Sequence, residues 1–311
     1  MDTRAVTLPS SVGLIEAAIN KGQPKEGVEK APKEIRSAGL DHLINSLNAK
    51  VSYYGEVRQP EDREPDIVAN CLNQRALIKA TLELTELVEK SVAENEITLI
   101  IGGDHSSGIG AIEGHFKAFP DSFVVWVDAH GDINTPDSSV SKHTHGMPVS
   151  FVMRETYKQI PHTMGFEKIQ PVLDPNQIIY IGLRDLDPPE LNTLKEFSVP
   201  YFSMDDVRQL GIEKVLETTL RIIEKTKPHC KIHLSFDIDS LDPKFAPSTG
   251  TPVPGGLTLK EGKYICRTLA QTGQLRSMLM AEVNTALGSE EDAKMTLSSA
   301  NEILKSALLL D

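Results

Sequence analysis

The stretch FVVWVDAHGD, residues 123–132, places an apolar segment directly before a group of charged residues. The segment from Phe123 to Val127 is apolar on both faces of an extended chain, which is typical of a central strand in a parallel sheet. Asp128, His130 and Asp132 follow at every second position, so an extended backbone would point their side chains to one face. The stretch therefore predicts a buried strand that ends in a group of polar ligands.

Seven other short, β-rich segments alternate with longer amphipathic ones: VGLIEA, VSYYGEV, TLIIGG, IIYIGL, VPYFSM, KIHLSFDID and SMLMAEVN. This alternation predicts an α/β protein with a mainly parallel sheet covered by helices. We predict helices over about 69–93, 105–117, 213–227, 259–272 and 289–310. The segment QPEDREPD, residues 59–66, is interpreted as a surface loop. Because there is no long linker and no repeat, we predict a single domain over residues 1–311.

Charge and composition exclude several classes of partner. The chain has 32 Lys and Arg against 44 Asp and Glu, a formal net charge of -12, which repels nucleic acid and anionic lipid. No segment approaches the length of about 20 apolar residues that spans a bilayer. Three widely spaced cysteines form no disulfide framework, and the first residues lack the pattern of a signal peptide. We expect a cytoplasmic protein with a small-molecule substrate and no nucleic-acid or membrane partner.

Charged residues follow four of the predicted strands at the point where each strand ends. TLIIGG leads into His105, FVVWV into Asp128, LSF into Asp237 and LMA into Glu282. Ligands bind at the carboxyl edge of the strands in an open parallel sheet. The four strands should therefore bring these side chains together at one edge.

The charged groups that follow the strands form a candidate set of metal ligands. Four carboxylates and two imidazoles without a thiolate suit a hard or borderline divalent ion such as Mn(II). Six ligands exceed the needs of one ion with an open position, and two ions about 3.5 to 4 Å apart would acidify a bridging water into a nucleophile. Each residue alone could instead be a turn or cap residue, as Asp239 could be before Asp242-Pro243. The set is His105, Asp128, His130, Asp132, Asp237 and Asp239.

Motifs along nearly the whole chain resemble those of the arginases, in the ureohydrolase family. They are KGQPKEGVEKAP, GGDHS, WVDAHGDINTP, HGMPVSF, IGLRDLDPPE, SFDIDSLDP, TGTPVPGGLT and EVNTALG, in this order. The resemblance implies a three-layer αβα fold with a mostly parallel eight-stranded sheet, two manganese ions per subunit, and hydrolysis of L-arginine to L-ornithine and urea. It also implies that one ion is held by His105, Asp128, Asp132 and Asp237, and the other by His130, Asp128, Asp237 and Asp239.

The same resemblance implies roles for further residues. Glu282 would pair with the substrate guanidinium, His145 would shuttle protons, and Asp132 joins them as a catalytic residue. Outside the family context, Glu282 could be a surface residue in a turn and His145 could start a helix. The residues that would bind the amino-acid part of the substrate are Asn134, Ser139, Ser141 and His143 on the loop after the metal motif, Asp187 and Glu190 for the ammonium group, and Thr251.

The loop that should read the substrate departs from the family pattern. Lys142-His143 stands where typical members have Gly-Asn, so His143 takes the place of an asparagine that helps to order the substrate carboxylate. A changed KM, or a related guanidino acid as substrate, follows from this departure. Gly131 replaces the usual Thr or Ala inside the metal motif, and we expect it to be tolerated.

Assembly is the second point of departure. The resemblance implies a homotrimer, but the chain stops at Asp311 without the extended tail that reinforces the trimers of many arginases, so the sequence leaves the oligomeric state open. Glu261 matches a residue of that interface, yet Thr258 to Glu261 is also a capping box, which we favour. Lys25, near the expected mouth of the cleft, is interpreted as a solvated charge.

Three hypotheses on function come from different classes. An active arginase is favoured because every predicted ligand, Glu282 and His145 are all present. A ureohydrolase that acts on agmatine or another guanidino acid is the second. A metal-binding, catalytically weak regulator or scaffold is the third.

Overall fold

Ten strands form the sheets of this computed structural model, which describes residues 7–59, 66–68, 70–161 and 165–310. A separate two-stranded hairpin consists of β3 (Ile67–Val68) and β4 (Cys71–Leu72). The main sheet contains β1 (Ser11–Ala18), β2 (Lys50–Arg58), β5 (Ile97–Gly102), β6 (Ser122–Val127), β7 (Ile178–Leu183), β8 (Tyr201–Ser203), β9 (Lys231–Asp237) and β10 (Leu275–Ala281).

The eight strands of the main sheet lie in the order β2-β1-β5-β10-β9-β6-β7-β8, and all neighbours pair in parallel. All eight apolar segments found in the sequence are strands of this sheet. The side chains of β5, β6 and β7 are completely buried, as expected when helices cover both faces. The prediction of an αβα protein with an eight-stranded sheet is therefore confirmed.

Helices cover the two faces of the sheet because alternate strand residues point to opposite sides. Apolar residues of α1, α2 and α8 to α11 pack on one face, and those of α3 to α5 pack on the other. The helices are α1 (Ala31–Ile35), α2 (Asp41–Ser46), α3 (Gln74–Glu94), α4 (Gly108–Ala118), α5 (Pro148–Val152), α6 (Arg154–Tyr157), α7 (Pro188–Glu196), α8 (Met204–Leu210), α9 (Ile212–Thr226), α10 (Leu259–Gln271) and α11 (Glu290–Ala307), and a π-helical turn, Arg36–Leu40, joins α1 to α2. Within the described ranges, no helix has the length and apolar character needed to cross a membrane.

The strand order explains why the charged residues can meet. The four strands that end in predicted site residues, β5, β10, β9 and β6, are consecutive neighbours in the sheet. Their carboxyl ends therefore form one continuous edge at the centre of the molecule. The loops after these strands carry the site.

The five predicted helices exist, but α3 begins later than predicted. It starts at Gln74 rather than near residue 69, because Cys71–Leu72 pairs with Ile67–Val68 and Asn73 adopts a left-handed backbone with φ 56°. The helix predicted from residue 105 begins as a 3-10 turn, His105–Ser107, whose first N–H groups are capped by Asp104. Most of the predicted surface loop, residues 60–65, lies outside the described residues, as do residues 1–6.

Candidate dinuclear metal centre and substrate cleft

His105 faces three carboxylates from two other loops. Its Nδ1 lies 3.1 Å from Asp128 Oδ2, 3.1 Å from Asp132 Oδ2 and 3.0 Å from Asp237 Oδ2. All four residues are buried. These are the residues that the sequence predicted for the first ion.

Two contacts hold the His105 ring in this orientation. Its Nε2 lies 2.8 Å from the hydroxyl of Ser235 on β9, and the ring stacks on Trp126 of β6 with 4.1 Å between centroids. Trp126 also donates its indole N–H to Asp128 Oδ2 at 2.9 Å. With Nε2 bonded to the serine, Nδ1 is the nitrogen left to face the carboxylates.

His130 forms the other half of the cluster. Its Nδ1 lies 3.4 Å from Asp128 Oδ1 and 3.2 Å from Asp239 Oδ2. The hydroxyl of Thr251 donates to the same Asp239 oxygen at 2.9 Å. Asp128 thus faces both histidines, one with each carboxylate oxygen.

The convergence does not come from extended backbone, as the sequence pattern suggested. Strand β6 ends at Val127, and Asp132 adopts a left-handed conformation with φ 49°. Asp239 lies in a 3-10 turn, Ile238–Ser240. The Asp237 side chain caps this turn, because its Oδ1 accepts the Asp239 N–H at 2.7 Å. The predicted alternation along one strand is wrong, and tight turns after the strands bring the same residues together.

The electrostatics of the cluster are those of buried acids that need counter-charges. Burial and the neighbouring carboxylates raise the pKa of Asp237 well above its usual value, and burial with Asp128 raises the pKa of Asp132 to about 6. Burial would also raise the pKa of Asp128, but hydrogen bonds from His105 and His130 outweigh it and lower that pKa. Burial alone would lower the pKa of His105 and of His130. The neighbouring aspartates outweigh burial, so both pKa values are raised strongly.

These residues fit a pair of divalent cations. The buried His105 Nδ1 lies 3.0 to 3.1 Å from oxygens of three different aspartates, a grouping of donor atoms that suits a cation. Two sets of donor atoms are close enough to hold an ion, and they overlap at Asp128. A carboxylate that belongs to both sets is suited to bridge two ions, and the oxygen-rich donors suit hard or borderline metals. The sets are His105, Asp128 and Asp132, and Asp128, His130 and Asp239.

Glu282 and His145 lie next to the cluster. Glu282 follows β10, is buried, and accepts the His105 backbone N–H on Oε1 at 2.8 Å. The same oxygen lies 3.3 Å from His145 Nδ1. Burial alone would lower the pKa of His145, but the Glu282 carboxylate outweighs the effect of burial and raises that pKa to about 9. Neither residue is the isolated turn or helix-start residue of the alternative reading.

A cavity of about 170 Å³ opens over the cluster. Its walls include carboxylates of the metal cluster on one side and polar groups of the 134–146 loop on the other. A small polar substrate would thus contact both groups at once. The predicted substrate residues that line this cavity are Asn134, Ser139, Ser141, Asp187, Glu190 and Thr251, together with His145 and Glu282.

Asp187 and Glu190 combine a structural contact with their place in the cavity. They form the capping box of α7, in which Glu190 Oε2 accepts the Asp187 N–H at 3.0 Å. Glu190 Oε1 accepts the Ile133 N–H at 3.2 Å, and Asn134 donates its amide to Asp187 at 2.9 Å. The cap that the sequence offered as an alternative therefore exists, and it ties the helix to the loop after the metal motif.

His143 is placed differently from the other predicted substrate residues. It is not among the residues of the described chain that line the cavity, and its ring packs edge-on against His145 with 6.2 Å between centroids. Its Nδ1 is buried without a hydrogen-bond partner. Lys142 beside it has φ 65°, a left-handed conformation that favours glycine.

Several residues of the site were missed by sequence reasoning. Ser235 precedes Asp237 by two positions on β9, so alternation could have placed it on the same face. Asp185 lies 3.7 Å from His130 Nε2 and lines the cavity. Arg184 donates to the backbone carbonyls of Asp239 and Val253, at 2.6 and 2.8 Å, contacts that no local pattern indicates.

Two other interpretations are decided by the structure. Glu261 accepts both the N–H and the hydroxyl of Thr258 at 2.8 Å, so the predicted cap of α10 is confirmed. Lys25 is not simply a solvated charge, because its ammonium group donates to the carbonyl of Gly250.

Comparisons with known proteins agree with this geometry. The Arginase family model matches residues 10–310. Human mitochondrial arginase-2 is 44% identical over 301 residues, covering 96% of this chain and 84% of its own, and hepatic arginase of Aquarana catesbeiana is 45% identical over 298 residues, covering 94% and 91%. The solved structure of Entamoeba histolytica arginase in complex with L-ornithine superposes with a TM-score of 0.87 at 29% identity, covering 97% of this chain and 99% of that one.

Fold and site together define a hydrolase with a candidate metal centre at the carboxyl edge of a parallel sheet. The chain belongs to the arginase family. The sequence-based predictions of family, fold and enzyme class, a hydrolase acting on a guanidino C–N bond, are confirmed.

Proposed function

We propose that this protein hydrolyses L-arginine to L-ornithine and urea and that its resident cofactor is a pair of Mn(II) ions. The observation that carries the proposal is the overlap of the two donor sets at Asp128, beside a cavity that Asp132, Asp239 and Glu282 line. The high identity to proteins named arginase supports the choice of arginine as substrate.

The ions would be held by His105, Asp128, Asp132 and Asp237 on one side and by His130, Asp128, Asp237 and Asp239 on the other. Bound there, they would lower the pKa of a water molecule, so that a nucleophile is present near neutral pH. The protein itself must place the guanidinium carbon beside that water.

Glu282 is suited to orient the guanidinium group. Its Oε1 is engaged by His105 and His145, while a Cβ built on Gly250 would lie 3.5 Å from Oε2, which places that oxygen on the Gly250 side of the carboxylate. A charge-assisted hydrogen bond from the planar guanidinium to Oε2 would set its distance and its plane. Gly250 leaves room for this approach.

His145 is placed to move protons. When the C–N bond to the leaving amine breaks, the departing nitrogen needs a proton to become the neutral amine of ornithine. A histidine whose pKa is raised to about 9 by Glu282 carries such a proton at neutral pH and can transfer it to that nitrogen.

The other end of the cavity can recognise an amino acid. Asn134, Ser139 and Ser141 supply donors for an α-carboxylate, and the Asp185 and Asp187 carboxylates supply charge for an α-ammonium. Agmatine has no carboxylate for the first three residues to bind. This chemistry favours arginine over agmatine, the second candidate.

The proposal is tested by urea release after manganese loading, with metal content measured on the same sample. Arginine, agmatine and guanidino acids are compared as substrates, and Glu282→Gln serves as the control with an intact metal site. We expect arginine to be the preferred substrate and two ions per chain. Preference for agmatine, or one ion at full activity, would refute the proposal.

A further inference from the structure

The segment Asn20–Lys25, hereafter the strap, crosses from the end of β1 to the substrate cleft. It follows the strand through Ile19, whose carbonyl accepts the N–H of Asp104 at 2.8 Å. From there the strap contacts several other parts of the chain. None of its residues belongs to the predicted ligand or substrate sets.

Gly22 is the central contact of the strap. Its N–H donates to Asp104 Oδ2 at 2.8 Å, and its carbonyl accepts the backbone N–H of His145 at 2.9 Å. A Cβ built on Gly22 would lie 2.6 Å from Asp104 Oδ1 and 2.7 Å from the Ser106 hydroxyl, so only glycine permits this approach. Gly22 thus links the backbone of His145 to the residue that caps the His105 turn.

Contacts on both sides hold Gly22 in place. The N–H groups of Asn20 and Lys21 both donate to Gln59 Oε1 at 3.1 Å, and the Lys21 carbonyl accepts from the Asn73 amide at 2.9 Å. At the other end, the Lys25 ammonium donates to the Gly250 carbonyl. The first end is anchored on the scaffold. Directly after the second end, the Glu26 carbonyl accepts the Asn284 amide at 3.1 Å, so Lys25 supplies the strap's own contact with Gly250 and Asn284 holds the chain beyond it.

The Lys25 contact reaches the loop that carries Thr251, a residue that lines the cleft. Gly250 adjoins Thr251, whose hydroxyl binds Asp239, and lies beside Glu282. The strap therefore joins the loop of His145 to the loop that borders Glu282. A change at Lys25 would remove the contact between Gly250 and the strap against which His145 rests, while Asn284 still holds the chain at Glu26.

We propose that Lys25 is a positioning residue, which fixes His145 relative to Glu282 by tethering the strap to Gly250. The effect on catalysis rests on the proposed function. Lys25 is not among the described residues that line the cavity, and it acts through Gly22.

The test compares Lys25→Met, which keeps the length of the side chain but removes its donor, with Lys25→Arg, which restores a donor. Lys30→Met is the matched control, because it removes an equal charge from an exposed position close in sequence. Since misplacing a catalytic group by about 1 Å can cost up to about a hundredfold in rate, we expect kcat for arginine to fall about tenfold in Lys25→Met. KM should change less than about twofold, since the substrate-binding groups stay in place. Lys25→Arg should recover most of the activity, and Lys30→Met should behave as the wild type.

Amide hydrogen exchange supplies a readout that does not depend on activity. The peptides that contain Gly22 and His145 should exchange faster in Lys25→Met than in the wild type or Lys30→Met, because the His145 N–H binds the strap. Unchanged exchange together with unchanged kcat in Lys25→Met would overturn the proposal, as would equal effects of Lys30→Met. If the wild-type protein releases no urea from arginine, the proposed function fails, and exchange alone decides the role of the strap.

Discussion

Both carboxylate oxygens of Asp128 accept hydrogen bonds and also face histidines of the site. One of its oxygens accepts the Trp126 indole N–H and the other the His130 backbone N–H, at 2.9 and 2.7 Å, while both face a histidine nitrogen. Its carboxylate is therefore held in one orientation before any ion arrives. This is the preorganisation that a bridging ligand requires.

Replacing Asp128 by Asn should remove the bridging charge and keep the shape of the side chain. Loss of an outer-sphere partner of a metal ligand costs about tenfold to a hundredfold in affinity. Because Asp128→Asn changes a ligand itself, we expect a larger fall in metal affinity, with turnover nearly abolished. Equilibrium dialysis with manganese and a urea assay measure the two effects. Full activity with two bound ions in Asp128→Asn would contradict the assignment.

His143 offers a test of the one loop that departs from the family pattern. His143→Asn replaces a ring packed against His145 by the residue typical of the family at this position. We expect the KM for arginine to fall while the metal content stays the same, because the change removes the ring packed against His145 and supplies the amide that the family resemblance assigns to the substrate carboxylate. An unchanged KM would show that Asn134, Ser139 and Ser141 bind the carboxylate without it.

At the scale of elements, short turns decide where the functional side chains point. The turns His105–Ser107 and Ile238–Ser240 each begin at a strand end, and an aspartate caps each of them. Capping supplies partners for N–H groups that would otherwise be unsatisfied. The same device at α7 places Asp187 and Glu190 at the cavity.

The capping box of α10 allows a stability prediction at this scale. Thr258→Ala removes the hydroxyl that accepts the Glu261 N–H, and we expect a loss of about 1 kcal/mol in the free energy of unfolding. Urea denaturation measures it. Thr218→Ala is the control, because the half-buried Thr218 bonds only to Lys214 and Arg221 of its own helix, and it should change stability by less than about 0.5 kcal/mol. An unchanged stability in Thr258→Ala would mean that the cap contributes nothing.

At the scale of the whole molecule, the burial of an acid at the site makes the stability of the fold depend on pH. Burial and the charge of Asp132 raise the pKa of Glu190 from 4.5 to about 8. Between these two values the folded chain binds more protons at this site than the unfolded chain does. Linkage then requires that the contribution of Glu190 to stability fall as pH rises from about 5 to about 8.

This dependence can be measured on protein stripped of metal by a chelator. In that state we expect the free energy of unfolding to decline with pH more steeply in the wild type than in Glu190→Gln, by up to about 1.4 kcal/mol per pH unit for one proton. Denaturant titrations at pH 5, 6, 7 and 8 provide the slopes, and added manganese should restore stability because it binds only the folded site. Parallel slopes for the two proteins would contradict a raised pKa at Glu190.

Sequence and structure contributed different parts of this description. The apolar segments identified all eight strands of the main sheet, since buried strands must be apolar wherever they lie. The residue types at the strand ends likewise predicted His105, Asp128, Asp237 and Glu282 as site residues, because acids and histidines after buried strands are costly unless they are paired or bind a metal. These properties are local, so the sequence by itself determined them.

The contacts between distant segments were decided only by the tertiary structure. Ser235 orients His105, Arg184 binds the carbonyl of Asp239, and Lys25 reaches Gly250, each across many residues of chain. The backbone after Val127 is another case, because the left-handed turn at Asp132 replaces the extended course that alternation suggested. Local patterns specify which face of an element is buried, whereas the partner of a polar group depends on which loops the packed sheet brings to the same edge.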